Sequence, residues 1–581
     1  MKAKRTGILL LVAAVCAAAL LLWGGWSLAT NGIGDKTANA PYNGHGGTFK
    51  NTLAEIDTPD PSIVYANGYY YMTFTHNGAD IMVMKSRTLD FRQAERKVVW
   101  YPPPDTMYSS GIWAPEIQHL QGRWYIYFAA DDGANENHRM YALEADTEDP
   151  MGDYTFKGQV TDETNRWAID GLAVEHENKL YFVWSGWEGD VNIRQNTYIA
   201  PMSDPLTISG PRVLLSEPDL EWEQAGGPPF INEGQAILKK DGRLFIVYSG
   251  AGSWTPFYSL GMLALAPGGD PLDPSAWTKS AQPLLQMDEE AEVYGPGHNT
   301  FVASPDGTEH WIVYHATSGY TDGWNNRKAR AQKIEWNEDG TPHFGKPLSL
   351  DTAIPNPAGS GVFRAEHANA ASGKLEFDLI PSSVETEAPL LIHYRNPAGA
   401  SRSLDIWVNG EQAGTAALPA TEADAPGYAY AFVPLQSGHN TIGFPLADDG
   451  LQVEAVEIPR YEAESAQAES MAATADHPHA SGSGIAQIEG GKGTALRFAQ
   501  VNVPVPGTYR LGLAVSNPSG SDAALDIKVD GGKKRSLAIP ATERNQYIVA
   551  AVEMKLKSGT NVITLENATG RLNLDYIDIT R

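Results

Sequence analysis

Four acidic residues and one histidine recur at matching places in the first two thirds of the chain. Each lies 8 to 13 residues before a short aromatic segment; the five are Asp60, Glu116, Asp170, Glu233 and His298. If the five segments surround a common axis, the five side chains meet in one funnel. Carboxyls gathered in this way shift one another's pKa, so that one holds a proton while another is ionised. The pattern therefore predicts acid/base chemistry.

Five aromatic and β-branched segments supply the elements that position these residues. The segments follow Gly, Asn or Asp turns and occupy residues 68–74, 122–128, 179–184, 242–248 and 309–314. Their spacing of 55 to 67 residues, with almost no helical periodicity between them, indicates an all-β repeat. Five units of about 60 residues predict a five-bladed β-propeller over residues 51–355. A single β-sandwich with aromatic strands is the alternative.

A second repeat fills the C-terminal third. Residues 375–460 match residues 496–581 at a constant offset of 121, including Asn396-Pro397 with Asn517-Pro518. Alternating strands with Asn-Gly and Gly-Gly turns predict two jelly-roll-like β-sandwiches, over residues 365–460 and 461–581. The second copy has the longer opening and is expected to be the more complete module.

Composition excludes several classes of protein. The 581 residues carry 43 Lys and Arg against 70 Asp and Glu, a formal charge of −27, which disfavours general nucleic-acid binding. The single cysteine, Cys16, lies in the N-terminal leader, so disulfides and zinc–thiolate sites are not expected in the rest of the chain.

The first 29 residues have the pattern of an export signal. Lys2, Lys4 and Arg5 precede an uncharged run over residues 7–29, and a Gly- and Asn-rich linker over residues 30–50 follows. We expect an extracellular or cell-surface protein. The run is also long enough to remain as an N-terminal membrane anchor if the leader is not cleaved.

The motifs around the five recurring residues resemble glycoside hydrolase family 43. They are Asp60-Pro61-Ser62-Ile63, Trp113-Ala114-Pro115-Glu116, Ile169-Asp170-Gly171, Asn232-Glu233-Gly234 and Gly295-Pro296-Gly297-His298-Asn299. The resemblance implies a five-bladed propeller and an inverting hydrolysis. It implies Asp60 as general base, Glu233 as general acid and Asp170 as the carboxylate that raises the pKa of the acid.

The same resemblance assigns further residues to substrate and metal. It implies a contact with the terminal sugar for Arg327, with Arg330 as its competitor, and a calcium or other cation beside His298. Glu116, Trp113 and Trp187 are further candidates for contact with substrate. No cofactor is required for the chemistry. Each tryptophan is equally compatible with packing between strands.

Within the family, the segments around residues 184–187, 195–196 and 252–254 resemble exo-acting α-L-arabinofuranosidases. The expected partner is a plant cell-wall polysaccharide, arabinan or arabinoxylan. β-Xylosidase, endo-arabinanase and a non-catalytic polysaccharide-binding protein remain alternatives. A retaining fructan-type propeller hydrolase is disfavoured because its Trp-Met-Asn-Asp-Pro-like start is absent.

The last 121 residues resemble carbohydrate-binding modules of families 6 and 35. The opening Tyr461-Glu462-Ala463-Glu464 and the ending Leu574-Asp575-Tyr576-Ile577-Asp578 match the first and last strands of those modules. The resemblance implies a structural calcium site at Glu462, Glu464 and Asp578, and a sugar contact at Asn573. The first copy is expected to be a degenerate module.

Overall fold

The structure is a computed structural model, and it describes residue 42 and residues 44–581 apart from 372, 423–424, 447–449, 470–471, 478–479 and 483. The predicted leader, residues 1–29, and most of the predicted linker lie outside the described residues. The described chain is built almost entirely from β-strands and contains no helix long and apolar enough to cross a membrane.

The first 300 described residues form the blades of a propeller in chain order, each blade antiparallel, and a short parallel pairing of Arg194 and Gln195 with Phe230 and Ile231 joins the third and fourth blades in one sheet. A short strand, β1 Thr48–Phe49, precedes the blades. Blades 1 and 2 consist of β2 Ser62–Ala66, β3 Tyr69–Thr73, β4 Ile81–Ser86 and β5 Glu95–Trp100, and of β6 Ser110–Leu120, β7 Arg123–Asp131, β8 Arg139–Ala145 and β9 Tyr154–Gln159. Blades 3 and 4 consist of β10 Ala168–His176, β11 Lys179–Trp187, β12 Arg194–Asp204, β13 Thr207–Ile208 and β14 Val213–Ser216, and of β15 Phe230–Lys240, β16 Arg243–Gly250, β17 Ser259–Leu265 and β18 Trp277–Lys279. Blade 5 consists of β19 Tyr294–Ala303, β20 His310–Thr317 and β21 Lys328–Lys333, and three short strands follow it: β22 Glu335–Trp336, β23 Pro342–His343 and β24 Ile354–Pro355. This confirms the predicted all-β propeller.

The aromatic segments become the second strand of each blade. These strands are buried along nearly their whole length, because neighbouring blades cover both faces of each sheet. Large side chains such as Tyr127, Phe128, Tyr248 and Trp311 fill the space between blades. The aromatic repeat therefore marks the packing core, and the residues before it mark the axis.

The N-terminal segment closes the ring. Residues 51–58 run along β21 of blade 5, where the backbone amides of Leu53 and Thr58 donate to the carbonyls of Ala329 and Arg327, each at 2.9 Å. Blade 5 has three strands in its sheet, so this segment occupies the edge that a fourth strand would cover. The first and last parts of the propeller thus stabilise each other.

Two sandwiches follow the propeller. The strands of the first are β25 Phe363–Arg364, β26 Asn369–Ala371, β27 Lys374–Ser382, β28 Thr386–Arg395, β29 Arg402–Val408, β30 Glu411–Leu418, β31 Gly427–Leu435, β32 Gly438–Pro445 and β33 Gln452–Glu457. The strands of the second are β34 Arg460–Glu462, β35 Gln467–Glu469, β36 Ala472–Asp476, β37 Gly484–Ile488, β38 Ala495–Val503, β39 Gly507–Ser516, β40 Ala523–Val529, β41 Arg535–Ile539, β42 Ile548–Leu556, β43 Gly559–Glu566 and β44 Leu572–Thr580. Single 3₁₀ turns occupy Asn135–Asn137, Glu221–Gln224, Pro274–Ala276, Ala365–His367 and Ala463–Ser465.

The structure reproduces the offset of 121 residues in detail. The amide of Asn396 donates to the carbonyls of Ala400 and Leu418, and that of Asn517 donates to Ser521 and Ile539. Each asparagine satisfies buried backbone acceptors at the same turn, which explains why both copies contain it. The two sandwiches therefore share one framework.

An N-terminal arm, described at residue 42 and residues 44–50, joins the parts of the molecule. The hydroxyl of Tyr42 donates to Glu457 at 2.6 Å in the first sandwich, and His45 Nε2 lies 2.8 Å from the carbonyl of Arg460. The amide of Gly47 donates to Gln500 in the second sandwich at 2.9 Å. The propeller itself contacts the first sandwich through a salt bridge of Arg87 with Asp378.

Candidate active site

Irregular backbone at the start of the innermost strands turns the site residues toward the axis. Asp60, Asp170 and His298 have positive φ values of 56°, 54° and 43°, in the left-handed region that side chains other than glycine rarely adopt. Bulges interrupt the ladders at the same places in β6, β10, β15 and β19. Bulges re-aim side chains, and their recurrence in register shows that this is a property of the repeat.

Gly234 is the matching position in blade 4. Its φ is +60°, and a Cβ placed there would lie 3.1 Å from the Cα of His298. Its amide donates to Asp170 Oδ2 at 2.8 Å. Glycine therefore permits both the turn beside Glu233 and the close approach of blades 4 and 5.

Asp60 is surrounded by hydrogen-bond donors and positive charge. Burial raises its pKa, but Arg327, His298 and His315 outweigh burial and hold the pKa well below its usual value. The guanidinium of Arg327 lies 3.1 Å from Oδ1, and the hydroxyl of Thr75 donates to Oδ2 at 2.7 Å. Asp60 is thus ionised at neutral pH, as a general base must be.

Glu233 has the opposite environment. Burial, and then the charge of Asp170, raise its pKa to about 8, against the smaller opposing effects of His298 and of the hydroxyl of Tyr258, which donates to Oε1 at 3.0 Å. Burial also raises the pKa of Asp170 to about 6, since the charge of His298 offsets only part of this effect. Glu233 therefore holds a proton near neutral pH.

His298 lies between the carboxyls of blades 1, 2 and 3. Its Nε2 is 3.2 Å from Glu116 Oε1, and its Nδ1 is 3.6 Å from Asp60 and 3.9 Å from Asp170. Burial lowers its pKa, but the three carboxyls outweigh burial and raise the pKa to about 10.

The cation predicted beside His298 stays a prediction. Nε2 of His298 lies at hydrogen-bond distance from Glu116, and Nδ1 faces Asp60 at 3.6 Å. Among the residues that the structure describes, no group of three or more His, Cys, Asp or Glu side chains is placed to hold a metal ion. In keeping with its raised pKa, a protonated His298 places positive charge at the axis. Glu116, expected at the substrate, is its counter-ion.

Two site residues escaped the sequence analysis. His315 lies in β20, and its Nδ1 accepts a hydrogen bond from the backbone amide of Asp60 at 3.0 Å. Burial lowers the pKa of His315 to about 4, which keeps the ring neutral. Tyr258 is fully buried and stacks on that ring at 5.7 Å. His315 directly follows an aromatic segment, and this position could have identified it from the sequence. No sequence pattern identifies Tyr258.

Of the two arginines considered for a sugar contact, the structure places one beside the proposed base. Arg327 reaches Asp60, whereas its competitor Arg330 is buried and donates to Thr317 and Ser318 of blade 5. The half-buried ring of Trp113 stacks on His138 at 3.9 Å.

Trp187 does not present an open ring. It is 5% exposed and packs on Trp167 at 4.8 Å, within the core between blades 2 and 3. The expectation that Trp187 stacks on substrate is not supported by this placement, because one face is covered by another indole.

The second sandwich brings Glu462 and Glu464 together but not Asp578. Burial, and then the charge of Glu464, raise the pKa of Glu462 well above its usual value. Asp578 instead forms a buried bidentate salt bridge with Arg460 at 2.8 and 2.9 Å. Both oxygens of Asp578 are therefore occupied, so the calcium set predicted from sequence is not formed with this residue.

Asp575 is the acidic residue of β44 on the side of the glutamate pair. Ser481 links them: its amide donates to Asp575 at 2.9 Å and its hydroxyl donates to Glu462 at 2.5 Å. The glutamate pair lines a cavity of about 600 Å³ between the propeller and the two sandwiches. Asn573 lies half-buried on the same strand, with its carbonyl oxygen unpaired.

Comparison with known sequences agrees with the axial cluster. Residues 49–342, half of the chain, match the profile of glycosyl hydrolases family 43, and residues 459–581 match that of carbohydrate binding module family 35. The chain belongs to glycosyl hydrolase family 43. The five axial residues all lie inside the matched range, and the second sandwich is a family 35 module.

Two curated relatives illustrate the similarity. An extracellular exo-α-(1→5)-L-arabinofuranosidase of Streptomyces avermitilis is 36% identical over 312 residues, which are 52% of this chain and 64% of that protein. α-L-Arabinofuranosidase 43 of Humicola insolens is 32% identical over 338 residues, 55% of this chain and 69% of that protein. The match thus spans about two thirds of each relative and half of this chain.

A solved structure is also similar to part of this chain. The α-L-arabinofuranosidase from Lactobacillus brevis is 35% identical, with a TM-score of 0.49, and the match covers 52% of this chain and 98% of that one.

Proposed function

We propose that this protein is an exo-acting, inverting α-L-arabinofuranosidase that releases arabinose from arabinan or from arabinose-substituted polysaccharide. The observation that carries the proposal is the separation of two carboxyl pKa values in one buried funnel: that of Asp60 well below the usual range and that of Glu233 near 8. Similarity to arabinofuranosidases supports the choice of sugar. Two titratable groups pushed apart in this way are the signature of an acid and a base.

In the proposed reaction, Asp60 removes a proton from water as the water attacks the anomeric carbon. Glu233 gives its proton to the leaving oxygen on the other side of the sugar. Inversion requires room for the water, with the two carboxyls about 6.5–9.5 Å apart.

Asp170 positions the acid and maintains its proton. It accepts the amide hydrogen of Gly234, next to Glu233, and its charge disfavours loss of the proton from Glu233. The sugar gains positive charge in the transition state, and the surrounding carboxylates stabilise that charge.

We also propose roles for the second sandwich and for the leader. Glu462 and Glu464 are hard oxygen donors whose mutual repulsion calcium would relieve, and we assign them as two of its ligands. The sandwich holds the enzyme on cell-wall polysaccharide, with Asn573 as a sugar contact. The N-terminal pattern and the extracellular relatives support export of this chain.

Hydrolysis of defined substrates tests the proposal. Purified protein is assayed on debranched arabinan, an aryl α-L-arabinofuranoside and an aryl β-D-xyloside, with Glu233→Ala and Asp60→Ala as controls. We expect arabinose as the first soluble product and loss of arabinan hydrolysis in both variants.

Several results would contradict the proposal. Equal hydrolysis by the wild type and both variants would contradict the assignment of Asp60 and Glu233. Preference for the xyloside would contradict arabinose as the sugar that is released, and release of oligosaccharides first would contradict the exo action. NMR of the first-formed anomer tests inversion, since a retained configuration contradicts the roles of Asp60 and Glu233.

A further inference from the structure

Exposed apolar side chains of the propeller gather at one end. Each innermost strand starts at the funnel, so the loops between second and third strands, and those between blades, lie at the same end as the catalytic carboxyls. Six of the large exposed apolar residues of the described chain lie in such loops: Tyr101, Met107, Val191, Ile193, Tyr320 and Trp324. An exposed apolar side chain beside a cleft is a candidate for contact with substrate, and its connection to the catalytic residues decides between the candidates.

Trp324 is the member of this group that is connected to the catalytic residues. Its backbone carbonyl accepts a hydrogen bond from Arg327 Nε at 3.3 Å, and the guanidinium of Arg327 lies 3.1 Å from the carboxylate of Asp60. A single residue thus separates the backbone of Trp324 from the proposed base.

The indole of Trp324 is fixed while most of its surface stays open. Nε1 donates to the hydroxyl of Ser253 at 3.2 Å, and the ring meets Trp254 edge-on, with centroids 5.6 Å apart and planes at 75°. Trp324 nevertheless remains 62% exposed. A tryptophan held at its polar end and one edge presents a preordered apolar face.

Trp254 connects this pair of indoles, Trp324 and Trp254, to the proposed acid; the pair is called the platform below. It lies in the loop between β16 and β17 of blade 4, and that loop ends at Tyr258, whose hydroxyl donates to Glu233. The two indoles therefore lie between the loop of the acid and the arginine of the base.

We propose that Trp324 and Trp254 form the binding site for the sugar on the leaving side of the scissile bond, a furanose unit of the polysaccharide being shortened. This inference rests on the proposed exo action. The catalytic carboxyls are buried or nearly so and enclose the terminal sugar, so whatever lies at the mouth is the remainder of the chain. The C–H face of that unit packs on the open indole, as apolar surfaces do in sugar sites.

Selectivity for the length of the substrate tests the proposal. We measure kcat/KM on arabinotriose and on methyl α-L-arabinofuranoside, whose methyl leaving group does not reach the platform. The ratio of the two values is the readout, and it is independent of the fraction of protein that is folded. Remote contacts with the leaving group stabilise the transition state of the long substrate alone.

We expect Trp324→Ala to lower this ratio about 10-fold, which corresponds to about 1.4 kcal/mol of lost contact. Trp324→Phe, which retains a ring, lowers it less. Tyr101→Ala removes an aromatic side chain of similar exposure, 67%, from the loop between blades 1 and 2 and leaves the ratio unchanged.

Two outcomes overturn the inference: an unchanged ratio in Trp324→Ala, or an equal decrease in Tyr101→Ala. A wild type that cleaves both substrates with the same kcat/KM also overturns it, because no leaving-side contact then exists. A wild type that cleaves neither substrate contradicts the proposed function instead, so the two failures are distinguishable.

Discussion

Two parts of this chain bury several carboxyls, and they compensate the charge differently. In the funnel, His298 lies among Asp60, Glu116 and Asp170, and Arg327 contacts Asp60 from the rim. In the second sandwich the available arginine is taken up by Asp578, and the nearby glutamate pair, Glu462 and Glu464, has a serine as its neighbour.

The difference shows that the placement of cations decides which role each buried carboxyl can take. Fixed positive groups on one side of the funnel ionise Asp60, while burial and the charge of Asp170 outweigh His298 and keep Glu233 protonated. In the glutamate pair of the sandwich, burial and then the charge of Glu464 raise the pKa of Glu462, against the smaller opposing effect of Arg460. The first arrangement suits proton transfer, and the second suits an external divalent ion.

The largest expected effect comes from removing the proposed base or acid. Asp60→Ala lowers kcat/KM by about 10²–10⁴-fold on both arabinan and 2,4-dinitrophenyl α-L-arabinofuranoside, because water attack is needed in each case. Glu233→Ala produces a loss of that size on arabinan but a much smaller one on the aryl substrate, whose leaving group needs no proton.

Steady-state kinetics on the two substrates checks this difference. Glu335→Ala, which removes an exposed carboxyl from the same domain, is the control and keeps wild-type rates. A loss by Glu233→Ala that is the same on both substrates would show that Glu233 is not the acid.

A pH profile gives the next effect in size. The charge of Asp170 contributes to the pKa of about 8 of Glu233, so Asp170→Asn lowers that pKa. Activity requires protonated Glu233 and disappears as pH rises through its pKa. The alkaline limb of kcat/KM in the variant therefore moves to lower pH, by about one unit. If the alkaline limb stays in place or moves to higher pH, Asp170 does not raise the pKa of Glu233.

The smallest expected effect belongs to the sandwich. Calcium added to chelator-treated protein raises the Tm of unfolding, since an ion that binds the folded state at 100 times its Kd contributes about 2.7 kcal/mol. Glu464→Gln abolishes the shift. Glu366→Gln changes the corresponding 3₁₀ turn of the first sandwich, where the side chain is exposed, and retains the shift. Calorimetry showing the same calcium response in both variants would exclude the glutamate pair as the site.

Much of the fold and the axial cluster was predictable because both repeat. The aromatic segments became the second strands of the blades, and the residues upstream of them became the axial cluster. A repeat places equivalent residues at equivalent points, so register alone predicts that Asp60, Asp170 and His298 come together.

Contacts that do not repeat could not be predicted. Asp575 and Asp578 are three residues apart on β44, and only the position of Arg460 in the paired strand β34 decides which of them is taken up in a salt bridge. Trp187 was ambiguous for the same reason, because its burial depends on Trp167 from another loop. Tyr258 reaches Glu233 from a loop whose shape has no sequence pattern.

The N-terminal arm has a consequence for how the chain matures. Tyr42 pairs with Glu457 and His45 with Arg460, each across 415 residues of sequence. These contacts form only after the chain has been synthesised as far as the sandwiches, and such long loops are entropically slow to close. The part of the arm before β1 therefore docks late in folding, after the sandwich residues that it contacts, and residue 42 and residues 44–46 are exposed to proteases until then.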